Sequence, residues 1–99
     1  MKVVWSPLAE HRALEAVDYI AQERPRTAAA WLEKLLERVG QLDQFEQHGR
    51  AVREIGIPAY REVLHPPYRI IYRIDAARVE ILTLRHVRRA WHPAEVEDA

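Results

Sequence analysis

The residues able to do chemistry gather in one stretch, residues 59–89, AYREVLHPPYRIIYRIDAARVEILTLRHVRR. Strand side chains alternate between the two faces of a sheet. On that rule Tyr68, Ile70, Tyr72 and Ile74 share one face, and Arg69, Ile71 and Arg73 share the other. An arginine-bearing face either presents charge to a partner or pairs internally, here Arg69 and Arg73 with Glu62 or Glu80 across strands. The stretch ends in a basic cluster, Arg85-His86-Val87-Arg88-Arg89, followed by Trp91 and His92. Two adjacent arginines do not easily both pair locally, and an aromatic beside them suits a contact tip or a cation–π contact. His86 could serve as a general acid or base, since an unperturbed imidazole titrates near pH 6.5. Alternatively it has a structural role at the sheet edge.

Other chemistries find no support. The chain has no cysteine, hence no disulfide, thiolate metal site or thiol nucleophile. His11, His48 and His65 are scattered without metal-ligand spacing, so no metal is expected, and no cofactor either. A Gly-rich phosphate loop is missing as well.

The elements that position these residues follow from periodicity. Val3-Val4-Trp5 reads as a short strand. Ser6 is an N-cap with Pro7 at N1, and Ala9, Ala13, Ala16, Val17, Ile20 and Ala21 follow at helical spacing, predicting a helix from about 7 to 22. Arg24-Pro25 breaks it and starts another. Ala28, Trp31, Leu32, Leu35, Leu36, Val39 and Leu42 form its apolar stripe, opposite Glu33, Lys34, Glu37 and Arg38. The short connection makes an antiparallel hairpin. Phe45 to Arg50 is a loop with Gly49 as its turn residue. Residues 51–58 contain Gly56 and Pro58, which oppose a long regular element. Strands are predicted at 60–65, 68–75 and 78–86, with turns at Pro66-Pro67 and Asp75-Ala76-Ala77-Arg78. Helices followed by strands imply an α+β fold, a helical hairpin packed on a curved antiparallel sheet in the order β-α-α-β-β-β, with residues 1–99 as one domain.

Ninety-nine residues bury roughly 60–70% of their unfolded surface, enough for one core. Composition is globular, 48% hydrophobic and 30% charged. Met1 to Trp5 is too short for a signal-peptide core and Ser6-Pro7 interrupts it. No apolar run approaches the roughly 20 residues of a membrane span, so a cytoplasmic location away from membranes is expected. Net charge is zero but uneven: −2 over residues 1–49, +5 over 50–89 and −3 over the last ten. A dedicated nucleic-acid binder carries a larger basic excess. Thirteen of the fifteen basic residues are Arg, which suits bidentate pairing and stacking.

Taken together, VVWSPLA at the start, Tyr19-Ile20-Ala21 before Pro25, Gly49-Arg50, YREVL, PYRIIYRID and His86-Val87-Arg88-Arg89 resemble the RelE/ParE superfamily of toxins from bacterial toxin–antitoxin modules. The set covers nearly the whole chain and is specific in its order and spacing. It departs at Glu46, where a proline often precedes the Gly-Arg pair. The resemblance implies a toxin neutralised by a cognate antitoxin. It also implies one of two targets: ribosome-bound mRNA, which the RelE branch cleaves, or DNA gyrase, which the ParE branch poisons.

Cleavage through a 2′-hydroxyl needs a base, an acid and cations on the phosphorane. By motif position, Arg69 and Arg89 match phosphate-binding arginines of the nuclease branch. Arg61 stands where the first of two lysines would lie and Val63 at the second, while the terminal tyrosine falls near Glu95. His86 could substitute as base or acid. The nuclease set would then be Arg61, Arg69, His86 and Arg89. With a lysine and the tyrosine lost, the resemblance favours the ParE branch, in which no residue is catalytic and Arg69, Arg73, Arg85, His86, Arg88 and Arg89 form a target-contact surface. A product that only binds its antitoxin is the third reading. The antitoxin is expected to fold on binding, as a helix on the hairpin or a strand added to an edge made available by 60–65 and 78–86. Trp31, Leu35 and Arg61 are its expected contacts, and acidic residues its expected complement.

Overall fold

The structure, a computed structural model, describes residues 1–89; Trp91, His92 and Glu95 lie outside them. Strand β1 (Lys2–Trp5) leads into helix α1 (Pro7–Ala21), then α2 (Pro25–Gly40). Two 3₁₀ turns, Gln41–Asp43 and Glu46–His48, precede the two-residue strand β2 (Arg50–Ala51). Strands β3 (Tyr60–His65), β4 (Tyr68–Ile74) and β5 (Arg78–His86) complete the chain order. The α+β class, the hairpin and the last three strands agree with the sequence reading.

The sheet corrects one expectation. Its order is β1-β5-β4-β3-β2, and β1 runs parallel to β5, from Lys2 opposite Arg78 to Trp5 opposite Ile81. The other pairs are antiparallel, so the sheet is mixed. A parallel pair requires a long crossover, and here the helical hairpin and the following meander supply it. The edges are therefore β1 and β2. Strand β5 lies inside the sheet, and β3 is flanked by β2 at Arg61 and Glu62, so neither is the simple open edge expected.

Local chemistry explains the joints. Ser6 Oγ accepts the Ala9 N–H at 3.0 Å, capping α1, and donates to the Leu82 carbonyl at 2.8 Å. One hydroxyl thus ends the helix and fixes it to the sheet. Ala9, Ala13 and Ala16 are buried; their small side chains let α1 lie close over β5. Asp75 Oδ1 accepts the N–H groups of Ala77 and Arg78, and these bonds hold its pKa below the ordinary value. They form the Asx-type turn between β4 and β5.

Alternation along β4 sorts two cores. Ile70 and Tyr72 join Val63, Val79, Ile81 and Leu84 against Ala9, Ala13, Leu35, Val39 and Leu42 of the helical layer. Ile71 and Leu82 face away and form a smaller cluster with Val52, against which Ile55 and Tyr60 pack. A register shift at Ile71/Tyr72, where Ile71 opposes Thr83 and Tyr72 opposes Ile81, is a bulge of the kind that bends a strand pair.

Gly49 plays a different part from the one expected. Its φ of −71° is extended, so it is no turn glycine. A Cβ there would overlap the Tyr72 hydroxyl and lie 2.8 Å from the Glu62 carbonyl. The buried Tyr72 hydroxyl accepts the Gly49 N–H at 2.8 Å and donates to the Glu46 carbonyl at 2.8 Å. Burial pushes its pKa up, with the Gly49 hydrogen bond opposing. Positive φ occurs at Gly56, +70°, where the 52–56 turn closes on the Val52 carbonyl.

Candidate functional site: two arginine-bearing surfaces at the end of the sheet

The sequence-predicted residues divide between the two faces of the sheet. On the face away from the helices, Arg69 is held by two carboxylates. Its Nη1 and Nη2 donate to Glu54 at 2.7 and 2.8 Å, and its Nε and Nη2 donate to Glu62 at 2.7 and 2.8 Å. Glu62 is only 3% exposed, and Arg50 approaches it at 3.7 Å. Bidentate arginine–carboxylate forks are strong and geometrically demanding. They raise the Arg69 pKa, Glu54 contributing most and Glu62 next. Arg85 stands opposite Arg69 in the β4–β5 register. Arg73 donates to Glu80 at 2.7 Å and lies 6.0 Å from the Tyr60 ring centre. Internal pairing of Arg69 with Glu62 and of Arg73 with Glu80, one of the two sequence readings, is what the structure shows. Glu54 was missed because it lies in the 51–58 segment, which has no periodicity to place it.

On the helix side, rings run from one layer to the other. His65 lies 5.0 Å from Trp31, Trp31 5.5 Å from Tyr68, and Tyr68 5.5 Å from His86, the last two contacts edge-on. Edge-to-face packing at these separations is favourable. Strand register explains the order, with Tyr68 facing His65 on β3 and His86 on β5. Trp31 comes from α2 and donates its indole N–H to the Pro66 carbonyl at 3.1 Å. Burial raises the Tyr68 pKa; Arg89 opposes that, while Tyr19 and Glu15 of α1 add to it. Arg89 and Tyr19 thus belong to the same corner, where Tyr19 is 73% exposed.

His86 accepts the Arg88 N–H on Nδ1 at 3.1 Å, and its carbonyl accepts the Arg89 N–H at 3.0 Å. This tight turn folds the backbone of Arg88 back onto the His86 ring, and Arg88 and Arg89 are exposed on it. His86, Arg88 and Arg89 are therefore brought together, apart from Arg69 and Arg73. Arg61 goes elsewhere again, donating to the Gly49 carbonyl at 2.9 Å opposite Tyr72. Arg61, Arg69, His86 and Arg89 consequently do not converge on one phosphate. Leu35 is wholly buried, so it is removed from the expected antitoxin contacts: its position on the stripe points into the core. Trp31 is half-buried and Leu36 is 53% exposed. Among the described residues, no three His, Asp or Glu side chains gather to hold a metal ion.

Residues 3–91 match the family model described as the ParE toxin of the type II toxin–antitoxin system parDE. Among solved structures, a chain of a chromosomal ParDE toxin–antitoxin system from P. aeruginosa is similar, with a TM-score of 0.74 and 23% identity. The likeness covers 89% of this chain and 97% of that one, and it shows a shared fold. No curated protein sequence matches the chain. The ordered strand, hairpin and three-strand pattern and the match over residues 3–91 agree, and the chain belongs to the ParE toxin family of type II toxin–antitoxin systems.

Proposed function

We propose that this toxin acts in the cytoplasm by binding DNA gyrase and is neutralised by a cognate antitoxin. It would hold the cleaved gyrase–DNA intermediate by adding binding energy to that state alone, a population shift. The observation that carries the choice over mRNA cleavage is the clamping of Arg69 between two carboxylates. Four N–H···O bonds commit its guanidinium to Glu54 and Glu62. A cation that stabilises a phosphorane must offer its donors to the phosphate instead. The separation of Arg61 from His86 and Arg89 supports the same reading.

In this reading His86, Arg88 and Arg89 are the target-contact surface, while Arg85 lies opposite Arg69 on the other face of the sheet. The net +5 of residues 50–89 suits an antitoxin segment rich in acidic residues, with Trp31 and Arg61 among its contacts. Two assays separate the targets. Incubation of the purified protein with gyrase, plasmid DNA and ATP should give gyrase-dependent double-strand breaks, reduced by Arg88→Ala together with Arg89→Ala. A translation extract should leave mRNA intact. Cut mRNA, with cutting lost on His86→Ala, would instead establish the nuclease reading. Unimpaired growth on expression without antitoxin would establish the reading of a chain that only binds its antitoxin.

A further inference from the structure

Helix α2 is tied to the end of β3 by side chains that reach in both directions. The Trp31 indole donates to the Pro66 carbonyl at 3.1 Å. The His65 imidazole returns the bond, with Nε2 3.0 Å from the Trp31 carbonyl. Arg38 donates to the Leu64 carbonyl. A carbonyl only accepts, so Nε2 carries the hydrogen and Nδ1 is the bare nitrogen of a neutral ring. His65 is 6% exposed, and its Nδ1 is buried without a hydrogen-bond partner.

That arrangement suits a neutral imidazole and opposes a charged one. A second proton would go on Nδ1, creating a buried donor with no acceptor. The charged groups acting on the ring are Arg38 and Lys34 of α2, both cations. From β4 the ring meets Tyr68, its register partner, with His86 of β5 beyond it and Glu15, Tyr19 and Arg89 around that phenol. Burial lowers the His65 pKa most; the Trp31 carbonyl opposes this, and Arg38 and Lys34 add to it.

We propose that His65 is a proton-sensitive latch between α2 and the sheet. Neutral, it holds α2 on the β3–β4 turn; protonated, it releases α2 and with it the ring contacts from Trp31 through Tyr68 to His86. The latch does not depend on which target the toxin has. Its sign follows from the buried Nδ1 that has no acceptor for a second proton, and the lowered pKa agrees. Above the unfolded value, near pH 6.5, both states are neutral and the stability is fully present. As pH falls from there toward the folded value, the unfolded chain takes up the proton first and stability is lost.

Urea unfolding of the full chain between pH 7 and pH 5 tests this, comparing wild type with His65→Gln and His86→Gln. The glutamine amide keeps a donor for the Trp31 carbonyl but does not titrate. In wild type the unfolding equilibrium constant should rise by up to about tenfold per pH unit below pH 6.5. His65→Gln should remove that rise and His86→Gln should retain it. Proton-coupled nitrogen shifts of the wild-type His65 ring should show an Nε2–H tautomer titrating below its ordinary value. The latch is overturned by a pH dependence unchanged in His65→Gln. Should that variant not fold, a His65 ring titrating at or above pH 6.5 in wild type overturns it equally.

Discussion

Tyr72 and Gly49 show how one buried hydroxyl can dictate a residue far away in sequence. The phenol sits at 0% exposure with both of its hydrogen-bonding roles filled, by the Gly49 N–H and the Glu46 carbonyl. The close approach this needs leaves no room for a Cβ at residue 49. Gly49→Ala should therefore destabilise the protein by about 2–3 kcal/mol, the usual cost of overpacking a rigid interior. Denaturant unfolding measures it. Because φ is negative there, the loss reflects overlap with Tyr72 and Glu62 and owes nothing to backbone strain. Sequence alone flagged this glycine, but assigned it a turn, since the partner is Tyr72, 23 positions away.

Among the elements, α1 was the most legible. Ser6, Pro7 and the alanine stripe specify its start and its buried face, and the observed bounds Pro7–Ala21 fall within a residue of those predicted. Ser6 does more than cap, because its hydroxyl also donates to Leu82 from a site 5% exposed. Ser6→Ala should cost about 1–2 kcal/mol. For a domain of this size that lowers Tm by about 4–8 °C per kcal/mol, readable by differential scanning calorimetry. Strands β3, β4 and β5 were equally legible from alternation and their turn residues. Segment 50–58 was not: β2 has two residues, and its place on the sheet is set by Val52 and Ile55 in the smaller cluster and by Glu54 on Arg69.

Across the whole molecule, the Glu54–Arg69–Glu62 group joins that segment to the second face of the sheet. Arg69→Ala leaves Glu62 buried and without its main partner, and should destabilise by about 3–5 kcal/mol. Glu54 is partly exposed, 32% for its side chain, so Glu54→Gln should cost no more than about 1 kcal/mol. A double-mutant cycle adding Glu62→Ala to Arg69→Ala should recover much of the loss; denaturant midpoints report all of these. Arg69 variants consequently lose function through folding, and the target-contact surface is better probed at Arg88 and Arg89. By itself the sequence determined the α+β class, the helical hairpin, the last three strands and the two faces of β4, because helix and strand periods and capping residues act over a few positions. It also offered internal pairing for Arg69 and Arg73. Tertiary structure alone decided that β1 runs parallel to β5, that Glu54 completes the Arg69 clamp, and that His86 keeps company with Tyr68, apart from Arg61 and Arg69. Each of these depends on which distant segments meet, and a local pattern carries no record of its partner.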